Sequence, residues 1–365
     1  MIFDINQHSK INPNFDHTAD PWLINISSTS IPSNIHNILR LGPDFSNSFF
    51  QNKKTQIFEL IKDFENHAYK IPHDSVDEIR HILINQSRSY LSNRKKISPF
   101  DVFIHNSFPD TKTFLKNNPE LFVSRADKGN VTVIATQKEY KESMKKIFAD
   151  TNTYSLIDIN PFKMVHRRIF NLLNGWRLKN YLNPSIKRKD ILTENTNLSR
   201  AYGLYRIHKE GLHLRIIISC IDSPLSFISD FYKDILTSAC PTPNHVVKNS
   251  FQFKNKIINI NIRDGYNMVC YDIVNMFNNI PANLVQISIK KRWSKIKKFT
   301  NLPQKEFLKG LEILLNSLFF QFDNKYYQQI SGLPMGLSLS PILADIVIQD
   351  LENNILDEFK NDILS

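Results

Sequence analysis

The segment from Gln304 to Leu351 constrains this chain more than any other. Phe307, Leu311, Leu314 and Leu318 recur at helical spacing and predict an amphipathic helix over Gln304–Phe319. Two short apolar runs follow, Phe320–Phe322 and Tyr326–Ile330, on either side of Asp323-Asn324-Lys325, and they read as a hairpin. Next comes Ser331-Gly332-Leu333-Pro334-Met335-Gly336-Leu337-Ser338-Leu339-Ser340-Pro341. Its two glycines, within five residues, let the backbone come close to a ligand. The apolar run Leu339–Leu351 then reads as a long helix. The same loop can also be read as a plain connector before a capped helix.

Upstream, residues 1–50 carry turn signals such as Asn12-Pro13 and read as an irregular arm with one short helix near Ile35–Leu41. Phe58, Ile61, Phe64 and Ala68 predict a helix within 55–96, and a second is expected over Asp77–Leu91 from a cap at Ser75. Residues 97–122 read as a connector with a short helix. Val131–Ile134 reads as a strand, Glu139–Ala149 as a helix, and Phe162–Leu182 as a helix presenting Val165, Ile169, Leu172 and Trp176. Tyr202–Ile207 and Leu214–Ser219 read as strands about a turn at 209–211, and residues 224–238 read as helical. The run Tyr266–Tyr271 reads as a buried strand that leads into Asp272.

Composition narrows the function classes. A net charge of +11 favours a polyanionic partner, nucleic acid first, although a solubility surface would give the same number. The three cysteines, Cys220, Cys240 and Cys270, form no CxxC pair, which argues against a disulfide framework and a structural zinc site. The first ten residues do not read as a signal peptide, and no apolar run approaches the roughly 20 residues that span a bilayer. An intracellular location, nuclear or cytoplasmic, is expected.

Four segments could carry chemistry. Asp272 at the end of a strand can hold a divalent cation, or it can cap a helix over Ile273–Phe277. The Ser331–Pro341 loop can approach a ligand. Lys209 and Arg215 lie on either side of a turn and can clamp phosphate oxygens, or they can belong to a solvated hairpin. Ala126-Asp127-Lys128-Gly129-Asn130 is a polar turn before a strand.

In this order, the four segments resemble the reverse transcriptases of Penelope-like retroelements. In that family a KADKGN-type turn precedes a strand, and a YGLPKIHKEG–LRPIVS stretch follows. A DxxxLFTNIP motif and a GxxMGSPLSP motif come next. Here the counterparts are Arg125–Asn130, Tyr202–Ser219, Asp272–Pro281 and Gly332–Pro341, with Pro341–Val347 continuing the match. Leu41-Gly42-Pro43, Ser223-Pro224 and Lys248-Asn249-Ser250 also look familial, so the likeness covers roughly residues 35–352. Three positions depart from the pattern: Tyr205 and Ile216 stand where the family has proline, and Leu337 replaces a small serine in the template-facing loop.

The resemblance implies an α+β right-hand polymerase fold. It would have an N-terminal arm and helical region over 1–120, a fingers-like region over 121–265 and a partial palm over 266–365. It implies RNA-directed DNA synthesis with Mg²⁺ or Mn²⁺, on an RNA template and a DNA primer, with deoxynucleoside triphosphates. Asp272 would be the catalytic aspartate and metal ligand, and Ile273 would supply a carbonyl. Phe277 would exclude a ribose 2′-hydroxyl. Lys209 and Arg215 would hold the triphosphate, Met335 and Gly336 would pack on the nascent base pair, and Lys128 and Arg206 would contact nucleic acid. The family completes its metal site with a YxDD turn. No adjacent pair of aspartates occurs in this sequence, and Asp345, inside the preceding helix, matches a different familial position. The expectation is therefore a fragment that stops before that turn and is inactive alone; the alternative is a nucleic-acid-binding remnant without catalysis.

Overall fold

The computed structural model of the chain describes residues 20–45, 53–68, 71–92, 98–184, 196–243, 246–260 and 269–358. Among these the chain forms twelve α-helices and two mixed sheets, a fold of α+β type. It divides into two compact units, one of residues 1–140 with 204–213, the other of 141–203 with 214–365.

In the first unit, β1 (Leu23–Asn25) pairs parallel with β3 (Thr132–Thr136), and β2 (Leu121–Arg125) pairs antiparallel on the other side of β3. Leu23, Leu121 and Ile134 form a buried cluster, with Ile31, Leu39, Phe114 and Val123 packed on it. Helix α1 (Ser33–Leu39) lies close to α4 (Pro99–Asn117). The segment read as a connector with a short helix is this full α4. Ser98 and Asp101 form a reciprocal capping box at its start, and the helix runs through Pro109. Helices α2 (Lys53–His67) and α3 (His73–Ser92) are joined by Arg80, which bonds Glu65 at 2.7 and 2.8 Å. The second of these helices begins two residues before Ser75, so Ser75 is not its cap. The predicted turn at Asn12-Pro13 lies outside the described residues.

Helix α5 (Gln137–Phe148) opens on a reciprocal pair. The Glu139 amide donates to Thr136 Oγ1, and that hydroxyl donates to the Glu139 carboxylate. The second unit is built on a five-stranded sheet in the order β4 (Tyr154–Ile157), β8 (Lys325–Gln329), β7 (Phe319–Phe322), β5 (Ser199–Tyr205), β6 (Leu214–Ser219). The hairpin read from the sequence is β7–β8, antiparallel from Phe319↔Gln328 to Phe322↔Lys325. Its two turn residues, Asp323 and Asn324, have φ of 46° and 60°. Two successive positive φ values match the twist of the flanking strands, and Asp and Asn tolerate that region better than other side chains. Phe148 packs among Tyr154, Phe320, Phe322 and Tyr327, with ring centroids 4.9–5.5 Å away.

Helices α6 (Phe162–Leu178), α7 (Ser226–Ala239) and α11 (Gln304–Leu315) supply Trp176, Tyr232 and Phe307 to the same core, all essentially inaccessible. The buried stripe of α6 uses Leu173 in place of the predicted Leu172. Tyr232 donates its hydroxyl to the Phe307 carbonyl at 2.8 Å, which satisfies the buried oxygen. The remaining helices are α8 (Ser250–Ile257), α9 (Ala282–Lys291), α10 (Trp293–Ile296) and α12 (Ser340–Glu358). No helix of the described residues is long and apolar enough to cross a membrane.

Candidate functional site

In the second unit, β6 is the edge of the sheet, and the Ser331–Pro341 loop closes it. The Ile218 amide donates to the Met335 carbonyl at 2.6 Å. The next residue, Gly336, has φ of 122° and lies against the Ile218 carbonyl, where any Cβ would overlap backbone. The other end of the loop sits on a 3₁₀ turn at Met276–Asn279. Leu333 donates its amide to the Phe277 carbonyl at 2.7 Å, and Gly332, at φ 74°, lies against the Asn278 backbone. Each glycine is thus placed where backbone meets backbone and no side chain fits.

Serines fix the loop to its neighbours. Ser340 Oγ donates to the Pro334 carbonyl at 2.7 Å, and Ser338 Oγ donates to Asp230 Oδ1 at 2.7 Å while lying 2.8 Å from Ser229 Oγ. The Leu339 amide donates to Ser229 Oγ at 3.2 Å. Ser229 and Asp230 are members of this arrangement that sequence reasoning missed, whereas Ser338 belonged to the singled-out loop. Residues 224–238 read as helical, but nothing local marked Ser229 and Asp230 as partners of a loop about 110 residues away. Leu337 is buried, so the departure from a small serine is a core position and not a template-facing one.

Three segments singled out in the sequence therefore meet: Leu214–Ser219, the turn after Asp272, and the glycine loop. Met335 and Phe277 are half-buried and Gly336 is exposed. Arg215 is half-buried on β6, on the opposite face from the buried Leu214, Ile216 and Ile218.

Asp272 departs from expectation. It is exposed and does not end a strand: Val269–Tyr271 is irregular, with Val269 70% and Tyr271 88% accessible, and Tyr266–Met268 lies outside the described residues. A strand needs a hydrogen-bonded neighbour, and among the described residues no strand pairs with this segment. Apolar texture alone could not reveal that. Nor does Asp272 cap a helix. The turn begins at Asn275, with φ 52° and no side-chain cap, and it is 3₁₀. Ile273 lines an apolar groove of about 330 Å³ with Met276, Leu284, Ile287 and Val347. Among the described residues no group of three or more His, Cys, Asp or Glu gathers for a metal. Without such a group, an exposed Asp272 does not by itself fit a pair of Mg²⁺ or Mn²⁺ ions, which a two-metal site holds about 3.5–4 Å apart.

In the first unit two turns meet. Ala126 bridges Tyr205 in parallel register, and the Asp127 amide donates to the Tyr205 carbonyl at 2.9 Å. Beyond Tyr205 the Arg206 amide donates to the His213 carbonyl at 2.8 Å, closing a turn over 206–213. Lys209 lies within that turn and not on a strand, which corrects the expected short turn at 209–211. Gly211 and Leu212, with φ of 79° and 47°, lengthen the reversal. Lys128 and Lys209 are exposed and Arg206 is half-buried. His208, half-buried, lies in the same turn as Arg206 and Lys209. Burial pushes its imidazole below its ordinary value, the charge of Lys128 adds to this, Asp127 opposes it, and Arg206 and Lys209 add to it again. Arg206 Nε and His208 Nδ1 are buried with no hydrogen-bond partner among the described residues.

No protein-family model matches this sequence, and no curated protein does.

Proposed function

We propose that the chain is a reverse-transcriptase-type protein of Penelope-like character, whose fingers and palm segments handle an RNA template, a DNA primer and deoxynucleoside triphosphates. The observation that carries this reading is the convergence on β6: the glycine loop reaches the edge strand through Met335 and Gly336 and seats Leu333 and Gly332 on the turn after Asp272. Motifs more than 100 residues apart serve one surface, as expected for a right-hand polymerase whose palm loop supports the nascent base pair. In the first unit, the junction of the 126–130 and 206–213 turns brings together the segments that carry Lys128, Arg206 and Lys209, which supports a phosphate-binding role for the fingers.

A specific observation favours a second reading, nucleic-acid binding without polymerisation. Asp272 is an exposed carboxylate on a segment that, among the described residues, pairs with no strand and joins no group of three or more potential metal ligands. One assay separates the two. The 365-residue chain is given a primed RNA template and nucleotides with Mg²⁺ or Mn²⁺, and both binding and extension are measured. We expect binding without extension. Extension that disappears in Asp272→Ala would replace the second reading with the first, and failure to bind would remove both.

A further inference from the structure

The hydroxyl protons between α7 and the glycine loop are fixed by the geometry. Ser338 Oγ donates to Asp230 Oδ1 at 2.7 Å, and a hydroxyl has one proton to give. The 2.8 Å contact between Ser229 Oγ and Ser338 Oγ is therefore donated by Ser229. Ser229 Oγ in turn accepts the Leu339 amide at 3.2 Å. The bonds run in one direction, from the Leu339 amide through Ser229 and Ser338 to the Asp230 carboxylate, and bonds aligned in this way polarise and strengthen one another. Ser229 is buried, and Leu339 immediately precedes α12, so a serine of one helix serves an amide at the start of another. Asp230 is exposed, and Lys233 lies 4.0 Å from it on the same helix.

We propose that Asp230 is a positioning residue: by ending this chain of bonds it sets where the glycine loop, with Met335 and Gly336, lies on β6. The inference rests on the reading of that loop as the support of the base pair and adds to it the carboxylate that holds the loop in place. Met335 and Ser338 are three residues apart with the buried Leu337 between them. An opening that frees the Ile218 amide from Met335 therefore also breaks the Ser338–Asp230 bond. The charge of Asp230 works against binding. A carboxylate on a surface that takes up nucleic acid repels phosphate, so on charge alone its removal strengthens binding. Positioning makes the opposite prediction for a side chain that offers no acceptor, because the loop loosens. Asparagine separates the two effects, since it keeps an acceptor oxygen and loses the charge. Alanine and asparagine release Lys233 equally.

The test is amide exchange at Ile218 and Leu339 in the full chain, together with its affinity for a primed RNA template, in Asp230→Ala, Asp230→Asn and Ser338→Ala. Asp230→Ala and Ser338→Ala should each exchange roughly fivefold faster than wild type at both amides, the effect of one hydrogen bond on a local opening. Asp230→Asn should stay within about twofold of wild type. Asp230→Ala should bind the template roughly fivefold more weakly than Asp230→Asn, although the two carry the same charge. Equal exchange in Asp230→Ala and Asp230→Asn overturns the proposal, as does equal affinity for the template or wild-type exchange in Ser338→Ala. A chain that binds no template removes the functional reading, and the exchange comparison alone then decides whether Asp230 positions the loop.

Discussion

At Gly336 the backbone holds φ 122° while lying against the Ile218 carbonyl, so two independent restrictions coincide on one residue. An alanine there would be strained in its own dihedrals and would push the loop off β6. Gly336→Ala should lower stability by on the order of 2 kcal/mol and break the Ile218–Met335 hydrogen bond. Thermal unfolding gives the first effect and amide exchange at Ile218 the second. Unchanged protection at Ile218 would show that the loop is not anchored there. The sequence made this glycine legible as a point of close approach, expected to be to a ligand, and the structure puts the Ile218 backbone against it. Leu337, two residues after Met335, looked like a surface departure and is in fact core.

The β7–β8 hairpin is the element most directly written in the chain, since Asp323 and Asn324 are residues that tolerate its positive φ values. Lys141 and Lys145 bond the Asp323 carboxylate at 2.8 and 2.7 Å and hold it down to about 2, against an ordinary 3.8. A carboxyl depressed on folding stabilises above its ordinary value and loses that contribution as pH falls through the folded value. Asp323→Asn keeps the turn conformation and removes the ion pairs. At neutral pH it should lower Tm by about 2 °C, the lysines being half-exposed and the pairs screened. That gap should close between about pH 4 and pH 2. A gap independent of pH would mean that the lysines do not act through this carboxylate. Elsewhere local pattern misled. The reading of Tyr202–Ile207 as a strand ran past Tyr205 into the eight-residue turn 206–213, the segment read as a connector with a short helix is the full α4, and the apolar run before Asp272 suggested a strand with no partner to pair with among the described residues. The three-residue β1 is held by its pairing to β3, about 110 residues away, and no window of sequence contains that information.

For the molecule as a whole, the +11 charge becomes informative once particular cations are placed. Lys128, Arg206 and Lys209 lie on two adjoining turns of the first unit, and Arg215 is half-buried on β6 in the second. Proteins that neutralise phosphates release condensed counterions, so each contact has a signature in salt. The measurement that tests the account most directly is the affinity of the 365-residue chain for a primed RNA template across about 50 to 200 mM salt. With four phosphate contacts, log affinity should fall against log salt with a slope of about −3, on the order of 50-fold over that range, and Lys209→Ala should reduce the slope by about 0.8. An affinity that ignores salt, or a slope that Lys209→Ala leaves untouched, would contradict it.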